Sequence, residues 1–264
     1  MAWVLPAFHN GRSQSLFMKV TYIYHSGFAV ELSGCVLLFD YYKGRLPRWE
    51  KDKRLYVFAS HRHADHFSLK IFDLDHQYNT VHYFLSNDIR LNEKYLERNH
   101  ISASVKERIT AIGKNKELIF DKPGGNDGIK LQTLRSTDEG VAFIVSAEGR
   151  CIYHGGDLNW WHWEGETSLF NENMARDYRR EIDSVEGMHF DIAFVPLDPR
   201  LESAYCWGMD YFLEHTRPER VFPMHMWDEY GYIEKYKNTW AGSRYSDKIM
   251  EIHQPGQEYK IWNI

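Results

Sequence analysis

The chain has 264 residues, of which 43% are hydrophobic, 26% charged and 16% aromatic, and its formal charge is −5. That length accommodates one large α/β domain, and the mildly acidic balance excludes the global electrostatic footprint of a nucleic-acid binder. No uninterrupted apolar run approaches the roughly 18–20 residues of a membrane span, and the opening residues lack a secretory leader pattern. Cys35, Cys151 and Cys206 are scattered singly, which fits neither a disulfide framework nor a CxxC metal site, so a reducing, cytoplasmic setting is expected.

Residues 1–17 show no clear period and are read as an N-terminal extension, with one folded domain over 18–264. Short β-rich runs then follow in order: "VTYIYH", "FAVEL", "CVLLFDYY", "RLYVFAS", "VHYFLS", "ELIF", "IKLQTL", "VAFIVSA", "RCIYHGG", "DIAFVPL" and "RVFPMH". Many are separated by turn signals such as "SG", "NDG" and "EGR". Helical spacing of apolar residues predicts helices over 87–98, 170–187 and 208–216. Such a mixture points to sheets covered by helices.

The most informative stretch is "FASHRHADHFS" at 58–68. "RLYVFAS" reads as a buried strand, so His61 falls where that strand ends, the usual place for an active site. Neutral imidazoles with a carboxylate suit zinc or iron, and a His-x-His pair puts His61 and His63 on one side of an extended segment. Asp65 and His66 follow with a different offset and point to a second ion. A histidine-rich solvent loop is the plainer alternative, but four ligand-type residues in six positions after a buried strand argue against it. Further ligand candidates stand at other strand ends: His154 and Asp157 in "CIYHGGDLNWWHW", and His225 in "RVFPMHMW".

"SHRHADH" resembles the HxHxDH signature of the metallo-β-lactamase-fold hydrolases, and the order of the later pieces is similar too. The resemblance implies a four-layer αββα sandwich of two mixed β-sheets with outer helices. It also implies two divalent ions, zinc first, with manganese or iron as alternatives. His61 and His63 would hold the first ion, Asp65, His66 and His225 the second, and Asp157 would bridge. Asp40 in "VLLFD" would support the ligand loop. Where the family places a third histidine for the first ion this chain has "TLRSTDEGVAF", making Asp138 the preferred replacement and His154 its competitor. "YHSGFAVEL", with His25, and "YHGGD" look most like the ascorbate-6-phosphate lactonase subgroup.

Two ions activating a water imply hydrolysis of a small-molecule ester, lactone or phosphodiester, with Asp65 and Asp157 as the catalytic carboxylates. A ribonuclease of the same fold would need a basic arm, and a di-iron redox relative usually carries an electron-carrier domain. The aromatics of "NWWHWEGE" at 159–166 either line the pocket or cover the core. Arg135 and Arg200 are candidates for holding an anionic group. The expected partner is a small-molecule substrate, with neither membrane nor nucleic acid; homo-oligomerisation is left open.

Overall fold

A computed structural model describes residues 17–120 and 128–262. One sheet contains β1 (Phe17–Tyr24), β2 (Gly27–Glu31), β3 (Cys35–Phe39), β4 (Arg54–Ala59), β5 (Val81–Ser86), β6 (Ile109–Ile112) and β13 (Glu258–Trp262), in the order β13-β1-β2-β3-β4-β5-β6. The other contains β7 (Glu117–Phe120), β8 (Ile129–Arg135), β9 (Val141–Ala147), β10 (Arg150–His154), β11 (His189–Pro196) and β12 (Arg217–Met224), in the order β12-β11-β10-β9-β8-β7. Both are mixed: β3, β4, β5 and β6 are parallel neighbours, as are β10, β11 and β12, and the remaining pairs are antiparallel.

Strand alternation explains how two layers of core arise from one sheet. Cys35, Leu37 and Phe39 of β3 and Tyr56 and Phe58 of β4 face the second sheet, where they meet Phe143 and Phe194. Val36, Leu38, Leu55, Val57 and Ala59 point the other way. There they pack with Ile71 and Phe72 of a 3₁₀ segment (Leu69–His76) and Val105 of a short helix, α2 (Ala103–Lys106), which follows α1 (Glu93–Arg98). The far face of the second sheet is covered by α3 (Ser168–Asp183) and α4 (Trp207–His215), through contacts such as Tyr153 with Phe212 at 4.7 Å between ring centroids. The expected αββα sandwich is therefore the observed one. Two further short helices, α5 (Gly231–Lys237) and α6 (Trp240–Ser243), lie between β12 and β13.

Local signals moved some boundaries. The helix expected over 87–98 begins only at Glu93, because Asn92 accepts a hydrogen bond from the Tyr95 amide and caps it, while Ile89 closes a turn on Ser86. The helix expected over 170–187 starts two residues early, where Thr167 caps it through the Phe170 amide, and ends at Asp183. Strands β6 and β13, of four and five residues and partly exposed, lie outside the runs expected from the sequence. The N-terminal extension expected over 1–17 lies outside the described residues apart from Phe17, which opens β1. No helix among the described residues is long and apolar enough to cross a membrane.

Phe58 is fully buried between the sheets and stacks on Phe39 at 4.8 Å and Phe84 at 5.2 Å. Phe58→Ala should lose about 3–5 kcal/mol of stability, the range for large-to-small changes at a packed aromatic. Urea unfolding measures it, and a loss below about 1 kcal/mol would mean that the sheets close over the gap.

Candidate metal centre

β1, β3, β4 and β5 run in one direction within the first sheet, and β8, β10, β11 and β12 share a direction within the second. Just beyond the C-terminal ends of these strands stand His25 (β1), Asp40 (β3), His61 (β4), Asp138 (β8), Asp157 (β10), Asp198 (β11) and His225 (β12). Strand ends of this kind form the crevice where open α/β sheets bind ligands. Past His61 the chain turns, with the His63 carbonyl accepting from the His66 and Phe67 amides, and this reverses Asp65 and His66 relative to the His61–His63 pair.

The donor atoms fall into two groups, each within 4.8 Å internally: His61, His63 and Asp157, and His25, Asp65, His66 and His225. His61 Nε2 lies 3.0 Å from His63 Nδ1 and 3.4 Å from Asp157 Oδ2. On the other side Asp157 Oδ1 lies 3.1 Å from His66 Nε2 and 3.4 Å from His225 Nε2. Atoms bound about 2.0–2.2 Å from one tetrahedral ion stand about 3.3–3.6 Å apart, so the two 3.4 Å spacings match the edges of a coordination shell and the 3.0 and 3.1 Å spacings are slightly shorter.

Carboxylates fix the tautomers. Asp40 is fully buried, and its oxygens accept from the Ser60 amide (2.7 Å), the Ser60 hydroxyl (2.6 Å) and His66 Nδ1 (2.7 Å). A carboxylate only accepts, so His66 carries its proton on Nδ1 and turns the Nε2 lone pair to the centre. Asp198 acts in the same way on His225, 2.8 Å from Nδ1. With the Ser60 proton directed to Asp40, the Ser60 oxygen accepts from His61 Nδ1 at 3.0 Å, which puts the His61 lone pair on Nε2 as well. Gly140, at φ +71°, lets the next turn close on this loop, since a Cβ there would stand 2.0 Å from the Ser60 carbonyl.

These residues fit cations. Buried His66 Nε2, His225 Nε2, Asp157 Oδ1 and both nitrogens of His25 have no hydrogen-bond partner among the described residues. Burial pushes His25 and His61 down to about 4, which keeps them in the neutral, ligating form. Burial alone would raise Asp157, but His66 and His225 outweigh it and hold the carboxylate well below its ordinary range. His66 is pushed down by burial and more strongly up by Asp157 and Asp40, so the field at this point favours positive charge.

Asp138 lines the adjoining pocket 3.8 Å from His63 but stands outside the three-residue group. His154 is turned into the core: the Gly156 amide donates to its Nδ1, its Nε2 lies 2.9 Å from the Ser26 carbonyl oxygen, and its ring stacks on Phe39. Trp161 and Trp163 line the pocket, whereas Trp160 packs against Tyr178 and Trp207, so the aromatic run serves both roles considered for it. Arg200 also lines the pocket, paired with Asp198, while Arg135 lies exposed outside its lining. Sequence reasoning missed His25 as a donor, Asp198 as the partner of His225, and Ser60. The Asp-Pro in "PLDPR", at a strand end, was the available signal for Asp198.

The sequence profile of the β-lactamase superfamily domain matches residues 19–164. The chain belongs to this superfamily. A protein of Opitutus terrae named as a metal-dependent hydrolase is similar to it, at 26% identity over 223 residues, covering 79% of this chain and 84% of that protein. Among solved structures, Igni18, described as a metallo hydrolase of Ignicoccus hospitalis, superposes with a TM-score of 0.58 at 18% identity, over 94% of this chain and all of the other. CmlA, a diiron β-hydroxylase of Streptomyces venezuelae, gives a TM-score of 0.54 at 9% identity over 96% of this chain and 55% of its own. At these identities the two structures speak for the superfamily fold alone.

Asp40→Asn puts an amide where one oxygen accepts from His66 or Ser60. Metal affinity should fall about 10–100-fold, the usual effect of losing a ligand's orienting carboxylate, in competition titrations against a chelator. Unchanged affinity would remove Asp40 from the support of the centre.

Proposed function

We propose that this chain is a two-ion, metal-dependent hydrolase of small uncharged esters or lactones. The observation that carries the reading is the split of one carboxylate, with Asp157 Oδ1 beside His66 and His225 and Oδ2 beside His61. Divalent ions held in the two groups would lower the pKa of a water between them and polarise the bond under attack. Asp157 would offset their mutual repulsion. Asp65, partly exposed and facing the pocket, is placed to orient the attacking water, so no serine or cysteine nucleophile is needed.

The pocket, of about 290 Å³, supports the choice of substrate. Trp161, Trp163, Phe170 and Met174 give it an apolar wall suited to the carbon part of a small molecule. Asp65, Asp138 and Asp157 line it as well, and Arg200 is held to the Asp198 carboxylate by hydrogen bonds of 2.5–3.0 Å. With Asp65 and Asp157 given over to the ions and the one lining arginine held by Asp198, the pocket offers a phosphodiester no unengaged guanidinium, while its apolar wall suits the carbon part of an ester or lactone. This reading agrees with the lactonase-like look of the glycine-flanked motifs and disfavours a ribonuclease. Nitrogen and carboxylate donors suit iron as well as zinc, so iron is one of the metals to be reloaded.

A reducing, cytoplasmic location is part of the proposal. It rests on three free cysteines, which burial makes unreactive by raising Cys151 to about 11 and Cys206 to about 12.

The test uses protein stripped with a chelator and reloaded with zinc, manganese or iron, assayed against lactones, esters, phosphomonoesters and phosphodiesters. Reloading should restore hydrolysis of an ester or lactone. Asp157→Asn should lose metal and turnover together, by more than the roughly 100-fold of an indirect ligand loss, whereas Asp157→Glu should keep the ions and misplace them. Full metal content and full activity in Asp157→Asn would overturn the bridging role.

A further inference from the structure

His25 is 1% exposed, and neither ring nitrogen has a hydrogen-bond partner among the described residues. A buried polar group left unpaired is costly, so a native site of this kind calls for an explanation. The backbone does not let it relax. His25 sits at φ +57°, its amide donates to the Tyr22 hydroxyl at 2.9 Å, and its ring is wedged between His225 at 4.1 Å and Trp227 at 4.3 Å. A strained, over-determined residue at a site is a sign of function. Its Nε2 lies 3.5 Å from Asp65 Oδ2, the separation of two donors on one ion.

We propose that His25 is a protein ligand of the second ion, which makes the two positions unequal. With His25, Asp65, His66 and His225, and with Asp157 Oδ1 beside two of them, the second position is surrounded by protein donors. The first has His61, His63 and Asp157. Closed shells characterise structural ions, and three protein ligands with an open place characterise catalytic ones. His63 and Asp157 of the first group and Asp65 and His225 of the second line the pocket, so both positions border it, while His25, His61 and His66 are buried outside its lining. With more protein donors, the second position fills first and holds its ion, and the first keeps the open place at which ligands exchange. This inference rests on reading these loops as a two-ion centre, but not on any activity.

The direct measurement needs no variant. Protein labelled with ¹⁵N-histidine and given one equivalent of ¹¹³Cd should show three histidines coupled to the metal, His25, His66 and His225. Two coupled histidines would overturn the proposal, either because His25 is not bound or because the first equivalent goes to His61 and His63. Failure to bind cadmium at all would overturn the two-ion reading with it.

Cobalt titration gives the second test. His25→Ala should bind the first equivalent at least about 10-fold more weakly, with the visible absorption growing stronger as the shell drops toward four-coordinate. His63→Ala should instead lose the second equivalent and leave the first within about 3-fold, an effect too small to amount to a lost ligand. An unchanged first equivalent in His25→Ala, with its affinity and spectrum intact, would remove His25 from the shell.

Discussion

Everything at the centre depends on one buried charge, the Asp40 carboxylate. A carboxylate with no exposure is tolerated only when its oxygens are satisfied, and here the Ser60 amide, the Ser60 hydroxyl and His66 do so. The same three bonds tie the end of β3 to the loop after β4 and set two histidine tautomers, His66 directly and His61 through Ser60. Asp40 itself sits at φ +42°, so the chain accepts backbone strain to place it. Burial makes the carboxylate costly to leave unpaired, and that cost is what orders the ligand loop.

Asp198 repeats the device on the second sheet, holding His225 and engaging Arg200. In each sheet, a buried carboxylate at a parallel strand end orients an imidazole presented by the neighbouring parallel strand. The sheets supply rigid, staggered strand ends, and the carboxylates convert that stagger into directed lone pairs. Chemistry and architecture are linked at this point, because the residues between the ligands are the hydrophobic strands that build the sandwich.

The fold and much of the centre were legible because their signals are local. Four ligand-type residues in six positions after an apolar strand need no tertiary information to be noticed, and the unbroken apolar runs of β3 and β4 announce strands buried on both faces. His25 was not legible as a donor because it is a single histidine in a Ser-Gly turn between β1 and β2, indistinguishable from a hairpin residue until the second sheet brings His225 beside it. The competition between Asp138 and His154 turned on side-chain direction: three residues from Asp157, His154 points into the core because the Gly156 amide and the Ser26 carbonyl engage its ring. The helix expected from residue 87 shows the same limit, since the Asn92 cap outweighed the apolar spacing before it.

Each donor group draws on both sheets: His61 and His63 join Asp157, and His25, Asp65 and His66 join His225. An ion shared in this way acts as a clasp across the sandwich as well as a reagent, because pulling the sheets apart would first have to strip its coordination. Anything that binds the folded state alone adds to its stability according to its concentration. Metal supply would then govern how long the protein survives as well as how fast it works, and in a metal-starved cell loss of the chain to proteolysis would accompany loss of its activity.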